Sequence, residues 1–221
     1  MSGSTKLGDV LPILTAFAGW TDEQWAEHDA KVAANIAHER EAAVAPLFVV
    51  PAWGERGWPR RALEAAAVAD ESRQAVQRIR AWDPGDKSVL VLSGEPGCGK
   101  TVAATWWATH SPRYNRVARF IRATTFATSS RYDQVARQFC YGAAALVLDD
   151  LGTEYLDGKG SFNVDLDELV DTFYSEERPL VITTNLGPEA FKGRYGERVA
   201  DRIRECGRWM SLAEKSLRRA P

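Results

Sequence analysis

The segment SGEPGCGKT, residues 93–101, has the composition and spacing of a phosphate-binding loop. It fits the pattern G-x-x-x-x-G-K-[ST] and lies between the apolar run SVLVL and a predicted helix, TVAATWWATH. Glycines let the backbone curl so that successive N–H groups point at phosphate oxygens, and the helix adds its positive amino-terminal end. Lys100 should reach the terminal phosphates and Thr101 should hold Mg²⁺, whereas the alternative is a glycine-rich turn without a ligand. The residues predicted to bind the nucleotide are Gly94, Glu95, Pro96, Gly97, Cys98, Gly99, Lys100, Thr101 and Val102.

Two adjacent carboxylates end the apolar run in AALVLDDLG, at Asp149 and Asp150. A carboxylate at the tip of a buried strand beside the loop can hold Mg²⁺, and a second one can polarise the water that attacks a phosphate. The alternative is a pair of solvated aspartates at a strand end. Because they follow a phosphate-binding loop, we expect Asp149 to be a metal ligand and Asp150 to be catalytic.

Asn185 ends a further apolar strand, PLVITTN, and could orient the same water, although asparagine is also an ordinary strand terminator. The segment GERVADRIRECG predicts a short helix with Arg198 and Arg202 one turn apart on one face. Two interpretations of these arginines stay open. They can contact a phosphate, or they can form a solvated face in which they pair with the acidic residues of their own helix, Glu197, Asp201 and Glu205.

Short apolar runs alternate with helix-like segments from about residue 60 onward. The runs SVLVL, ARFIRA, ALVLD and PLVITT are bounded by helix breakers, a pattern that predicts a parallel sheet covered on both faces. Before them, an amphipathic helix is predicted at 22–43, and the prolines and glycines of 46–59 exclude a continuous helix and indicate a tether. We therefore predict two parts: a helical partner-binding region with its tether at 1–57, and an ATPase domain at 58–221. The alternative is that the apolar face of the first region packs on the chain's own ATPase domain, although the tether favours a partner.

Composition narrows the class of protein. The chain has 221 residues and a net charge of −2, so a nucleic-acid contact would need a local basic patch. The three cysteines form no CxxC pair and the three histidines do not cluster near them, so neither a zinc site nor a disulfide framework is expected. No run approaches the length of a membrane span, and the amino terminus lacks a signal pattern, so a soluble, cytoplasmic protein is expected.

Taken together and in order, GEPGCGKT, LVLDDLGTEY, VITTN and GERVADRIRECG resemble the AAA+ ATPases of the DnaC/IstB group, over about residues 58 to 218. This group contains replicative helicase loaders and similar ATPase subunits of transposition systems. The resemblance implies an α/β fold of the P-loop AAA+ class, with a five-stranded parallel sheet in the order 5-1-4-3-2. It also implies a truncated carboxyl-terminal lid, a small helical amino-terminal region, and ATP bound at subunit interfaces.

Residue roles follow from the same resemblance. Lys100 and Thr101 match Walker A, Asp149 and Asp150 match Walker B, and Asn185 matches sensor I. Arg202 matches the arginine finger, with Arg198 as its partner, and Arg218 in KSLRR matches sensor II. One departure is that the second Walker B carboxylate is Asp150 and not the more usual glutamate. In related initiators the segment before Walker B lines a nucleic-acid channel, and its basic residues here are Arg131 and Arg137, for which ordinary surface positions are the alternative.

These features predict an ATP-dependent, Mg²⁺-dependent helicase loader. Its expected partners are a hexameric replicative helicase, single-stranded DNA and further copies of itself, with no membrane. Two alternatives stay open: a transposition ATPase that recruits a transposase to target DNA, and an ATP-gated adaptor in which hydrolysis matters little. A small-molecule kinase is the least favoured class, because the sequence offers no evident acceptor site.

Overall fold

Five parallel strands form one sheet in a computed structural model of the chain: β1 (Val89–Gly94), β2 (Ala118–Arg122), β3 (Ala145–Leu151), β4 (Leu180–Thr184) and β5 (Gly207–Leu212). They lie in the order β2-β3-β4-β1-β5. The structure describes residues 50–69, 73–85, 88–128, 134–155 and 160–212. Read from the other edge, the strand order is 5-1-4-3-2, so the predicted order is confirmed.

Helices cover both faces of the sheet. This explains why β4 is buried along its whole length and is apolar without alternation in LVI. One face packs against the earlier helices, and its core includes Leu63, Ile79, Leu90 and Trp107. The other face packs against the later helices, and its core includes Leu166. The helices are α1 (Val50–Glu55), α2 (Arg60–Ala67), α3 (Gln74–Arg80), α4 (Lys100–His110), α5 (Ala123–Thr128), α6 (Gln134–Tyr141), α7 (Ser161–Ser175), α8 (Pro188–Tyr195) and α9 (Glu197–Cys206).

Residues 50–59 form part of the folded unit, Pro46–Pro221, and not a free tether. Trp53 and Trp58 are 2 % and 3 % exposed, and the centroids of their rings lie 5.2 Å apart. Arg56 donates hydrogen bonds to the carbonyl oxygens of Arg116, at 2.8 Å, and Ala118, at 3.1 Å. The prolines do exclude a continuous helix, but a short helix still forms there. Burial of the two tryptophans packs the segment against the core. The predicted helix at 22–43 lies outside the described residues, and the division of the chain at residue 57 stays a prediction.

Among the described residues, no helix combines the length and apolar character needed to cross a bilayer.

Replacing Trp58 by alanine should lower the free energy of unfolding by about 3–5 kcal/mol, because the ring is buried and packs 5.2 Å from the ring of Phe120. Denaturant unfolding of the full chain measures this. Val68→Ala is the control, because that side chain is 76 % exposed and should change the free energy by no more than about 0.5 kcal/mol. Equal stability of the two variants would show that residues 50–59 are a dispensable tether after all.

Candidate nucleotide-binding site

The predicted phosphate-binding loop joins β1 to α4, with Gly94 at the end of the strand and Lys100 at the start of the helix. Gly94, Gly97 and Gly99 have φ angles of 153°, 88° and 94°, values that residues with a Cβ rarely adopt. A Cβ on Gly94 would also lie 2.6 Å from the carbonyl oxygen of Leu212 in β5. The path of the loop therefore requires glycine, and a loop so poor in side chains presents its backbone to a ligand.

Lys100 is buried in this loop, with 7 % of its surface exposed. Its Nζ atom donates hydrogen bonds to the carbonyl oxygens of Gly94, at 2.8 Å, and Glu95, at 2.9 Å. A further bond of 2.8 Å goes to Oδ1 of Asn185, just beyond the end of β4. These acceptors are all neutral, so the bonds hold the ammonium group in place without neutralising its charge. A cation held by neutral acceptors suits an anionic ligand such as a nucleotide phosphate.

Asp149 near the end of β3 is 6 % exposed and accepts two hydroxyl hydrogen bonds on Oδ1. Thr101 donates one of them at 2.8 Å, and Thr183 in β4 donates the other at 2.7 Å. Burial raises the pKa of the Asp149 carboxyl, and the two hydroxyl bonds oppose that rise. Hydroxyl and carboxylate oxygens are the ligands that Mg²⁺ prefers. At ATP sites the protein commonly supplies only one or two of these ligands, and phosphates and water supply the rest. Thr101 and Asp149 therefore fit Mg²⁺ and would hold it.

Asp150 is exposed and has a φ angle of 63°, unusual for a residue other than glycine. The pairing of β3 with β4 is interrupted between Leu148 and Leu151, so Asp150 lies in a β-bulge. The carbonyl oxygen of Asp150 accepts a 2.8 Å hydrogen bond from the hydroxyl of Thr153. Strained backbone of this kind recurs at functional sites, where it redirects a side chain.

One cavity of about 1120 Å³ is lined by Lys100, Thr101, Asp149, Asp150 and Asn185. The structure thus brings these five predicted residues together at the carboxyl edge of the parallel sheet, where ligands of open α/β folds bind. Of the other predicted residues, Pro96, Gly97, Gly99 and Val102 also line the cavity, whereas Gly94, Glu95 and Cys98 do not.

Further lining residues were not predicted from the sequence. Pro59, Arg61 and Ala62 lie at the start of α2, and Arg122 ends β2. Arg122 could have been found, because β2 ends at the same edge of the sheet as Asp149. The α2 residues carry no local signal, since only the tertiary fold brings them over the loop. The remaining unpredicted lining residues are Ala65, Arg73, Thr124 and Thr153.

Glu154, in the turn after β3, carries a side chain that is fully buried. Its Oε2 accepts a bond of 2.8 Å from the backbone N–H of Gly152, and its Oε1 accepts one of 2.7 Å from the hydroxyl of Tyr195. Arg194 forms an ion pair with Oε1 at 3.0 Å. Burial, and then the bond to Glu154, raise the pKa of Tyr195, so this hydroxyl stays protonated and donates. The network fixes the turn that follows Asp150 against α8.

Arg198 and Arg202 do not line the cavity and instead form ion pairs with α7. Nε of Arg198 lies 2.8 Å from Oδ2 of Asp167, and Nη2 of Arg202 lies 2.8 Å from Oδ1 of Asp171. The sequence alone offers acidic residues of the same helix as the alternative partners of these arginines. In the two observed ion pairs the partners are instead acidic residues of α7. Arg131 and Arg218 lie outside the described residues, as does the side chain of Arg137, so their roles stay predictions.

No protein-family model and no curated protein matches the sequence. Solved structures do match. A primosome component from Streptococcus pyogenes serotype M3 is 17 % identical, with 72 % of this chain and 92 % of that chain covered and a TM-score of 0.57. A DnaI structure is 20 % identical, with 72 % and 94 % covered and a TM-score of 0.55.

The replication initiator DnaA bound to AMPPCP and single-stranded DNA is 17 % identical, with 71 % of this chain and 46 % of that chain covered and a TM-score of 0.52. Identities this low establish a common fold and nothing finer. The phosphate-binding loop, the sheet order and these likenesses agree, and the chain therefore has the AAA+ P-loop fold, as its sequence motifs predict.

Proposed function

We propose that the protein is a cytoplasmic, ATP-dependent loader of a hexameric replicative helicase. The observation that carries its ATPase activity is the convergence of Lys100, Thr101, Asp149, Asp150 and Asn185 on one cavity. The loader role is supported by the resemblance in DDLGTEY, TTN and GERVADRI, and by the likeness in fold to the primosome component and DnaI.

Hydrolysis requires a water to attack the terminal phosphorus of ATP while the bond between that phosphorus and the ADP oxygen breaks. Lys100 would bind the terminal phosphates, and Thr101 and Asp149 would hold Mg²⁺, which supplies neutralisation of phosphate charge. Asp150 would accept a hydrogen bond from the attacking water and take its proton, and Asn185 would orient that water. Oδ1 of Asn185 also accepts a bond of 2.8 Å from Nζ of Lys100, which links these two residues of the site.

Single-stranded DNA and further copies of the chain are the remaining proposed partners, with the region at 1–57 contacting the helicase. Support for DNA comes from the DnaA relative, which was solved with a nucleotide and single-stranded DNA bound. Support for self-association is that Arg198 and Arg202 lie away from the chain's own cavity, so a finger formed by either of them would act on a neighbouring subunit.

Affinity capture with the tagged full chain, in its native host and with ATP and Mg²⁺ present, tests the loader role. Mass spectrometry of the captured proteins should identify a hexameric replicative helicase, and a Lys100→Ala bait should capture much less of it. Capture of a transposase in its place would overturn the loader role in favour of a transposition ATPase.

A further inference from the structure

Thr183, in the middle of TTN, is buried in β4 with 1 % of its surface exposed and contacts both Walker B residues. Its hydroxyl donates a hydrogen bond of 2.7 Å to Oδ1 of Asp149. The same hydroxyl oxygen accepts a bond of 2.8 Å from the backbone N–H of Asp150. One side chain thus holds the proposed metal ligand and the residue proposed to activate water.

The bulge in β3 explains why a side chain is needed at this place. Leu148 pairs with Ile182 and Leu151 pairs with Thr184, so Asp149 and Asp150 together lie opposite Thr183 alone. A residue inserted in this way leaves the regular ladder of backbone hydrogen bonds. The N–H of Asp150 bonds to the Thr183 hydroxyl where a regular ladder would offer a carbonyl oxygen. An N–H inside a sheet that lacks a hydrogen-bond partner is unfavourable, so this bond stabilises the bulge.

We propose that Thr183 is a positioning residue for ATP hydrolysis, whose hydroxyl fixes the carboxylate of Asp149 for Mg²⁺ and maintains the bulge that presents Asp150 to the attacking water. This inference rests on the proposed ATPase activity. Without the hydroxyl, the hydrogen bond that Asp149 keeps within the described part of the chain is the one from Thr101, a residue that Mg²⁺ would also engage. Asp150 would lose the bond that holds its backbone at a φ angle of 63°. The contacts of Lys100 and of the loop glycines do not involve Thr183, so phosphate binding should persist.

The test compares Thr183→Val, which keeps the shape but removes the hydroxyl, with Thr183→Ser, which keeps the hydroxyl. Thr109→Val is the matched control, because Thr109 is also 1 % exposed and its hydroxyl donates to the carbonyl oxygen of Thr105 within α4. Two quantities are measured on the full chain: kcat and KM for ATP, and the affinity for AMPPCP with Mg²⁺ and with a chelator.

We expect T183V to lower kcat roughly 10- to 100-fold, the range typical of groups that orient metal ligands, with KM changed by less than about threefold. The affinity for AMPPCP in chelator should match that of the wild type, whereas the gain in affinity on adding Mg²⁺ should shrink. T183S and T109V should both have a kcat within about threefold of the wild type, because each still has a hydroxyl group at position 183.

Each failure has a separate meaning. A wild-type chain that binds no AMPPCP and hydrolyses no ATP would refute the proposed function itself. A wild-type chain that is active, with a T183V variant equally active and equally responsive to Mg²⁺, would refute only the role of Thr183. If T183V does not fold, Thr183→Ala is measured in its place. Loss of folding in both hydroxyl-free variants, with T109V intact, would show that Thr183 is a core residue and overturn its assignment to catalysis.

Discussion

Replacing Lys100 by alanine should weaken ATP binding roughly 100-fold or more while the chain stays folded. Charge-assisted hydrogen bonds contribute about 1.5–3 kcal/mol each, and the Nζ atom would make at least two of them to the terminal phosphates. The fold should persist because Lys100 bonds at present to loop carbonyl oxygens and to Asn185 at the edge of an open cavity, where water can replace it. Equilibrium binding of a fluorescent ATP analogue measures the loss, and circular dichroism verifies folding.

Lys192→Ala is the control for that measurement. Lys192 is an exposed lysine of α8 whose Nζ lies 2.6 Å from a carboxylate oxygen of Glu197, and it does not line the cavity. Its loss should change nucleotide affinity by less than about twofold, because exposed ion pairs contribute little and Lys192 is not a lining residue of the cavity. A folded Lys100→Ala variant that binds the analogue like Lys192→Ala would remove the basis for a nucleotide site.

The phosphate-binding loop could be predicted because its information is local. The glycines, Lys100 and Thr101 lie within one short segment, and each is required by the path of the backbone or by the ligand chemistry. The strands β1, β3 and β4 were predictable for a similar reason, since each is a short apolar run buried on both faces. The run of β2 was predicted as well, whereas β5 was not among the predicted runs, because buried and exposed residues are mixed along it. Their order came from the resemblance between motifs, because periodicity alone does not say which strands are neighbours.

Contacts between distant segments could not be predicted in this way. The hydroxyl of Thr183 reaches Asp149 only because β3 and β4 are adjacent and because a bulge shifts their register. Glu154 looks like an exposed acidic residue in DDLGTEY, yet its charge is buried against Arg194 and Tyr195 of α8. The tryptophans of residues 50–59 are a comparable case, since helix breakers indicate where a helix ends but not what the side chains bury.

Replacing Arg202 by alanine should leave ATP binding nearly normal and slow hydrolysis about 10³- to 10⁵-fold, the range measured where an arginine finger is supplied to a phosphate. Arg202 lies outside the chain's own cavity, so the proposed finger must act on a neighbouring subunit. Mixing Arg202→Ala with Lys100→Ala should then restore partial turnover, because the second variant contributes a finger but no working site. Steady-state ATPase assays of each variant and of the mixture, over a range of protein concentrations, measure this.

The ion pair between Arg202 and Asp171 joins α9 to α7 at 2.8 Å. A loss of hydrolysis in Arg202→Ala could therefore come from weaker packing of these two helices and not from the loss of a finger. The variant Asp171→Asn distinguishes these two explanations, because it removes the charge that pairs with Arg202 and leaves Arg202 in place. Both side chains are partly exposed, so the pair itself should contribute no more than about 1 kcal/mol to stability. If Arg202 is a finger, Asp171→Asn should hydrolyse ATP at close to the wild-type rate. Arg204→Ala should do the same, because Arg204 pairs with Asp201 within α9. Equal losses in Arg202→Ala and Asp171→Asn, with no recovery on mixing, would instead assign Arg202 to the packing of α9 on α7.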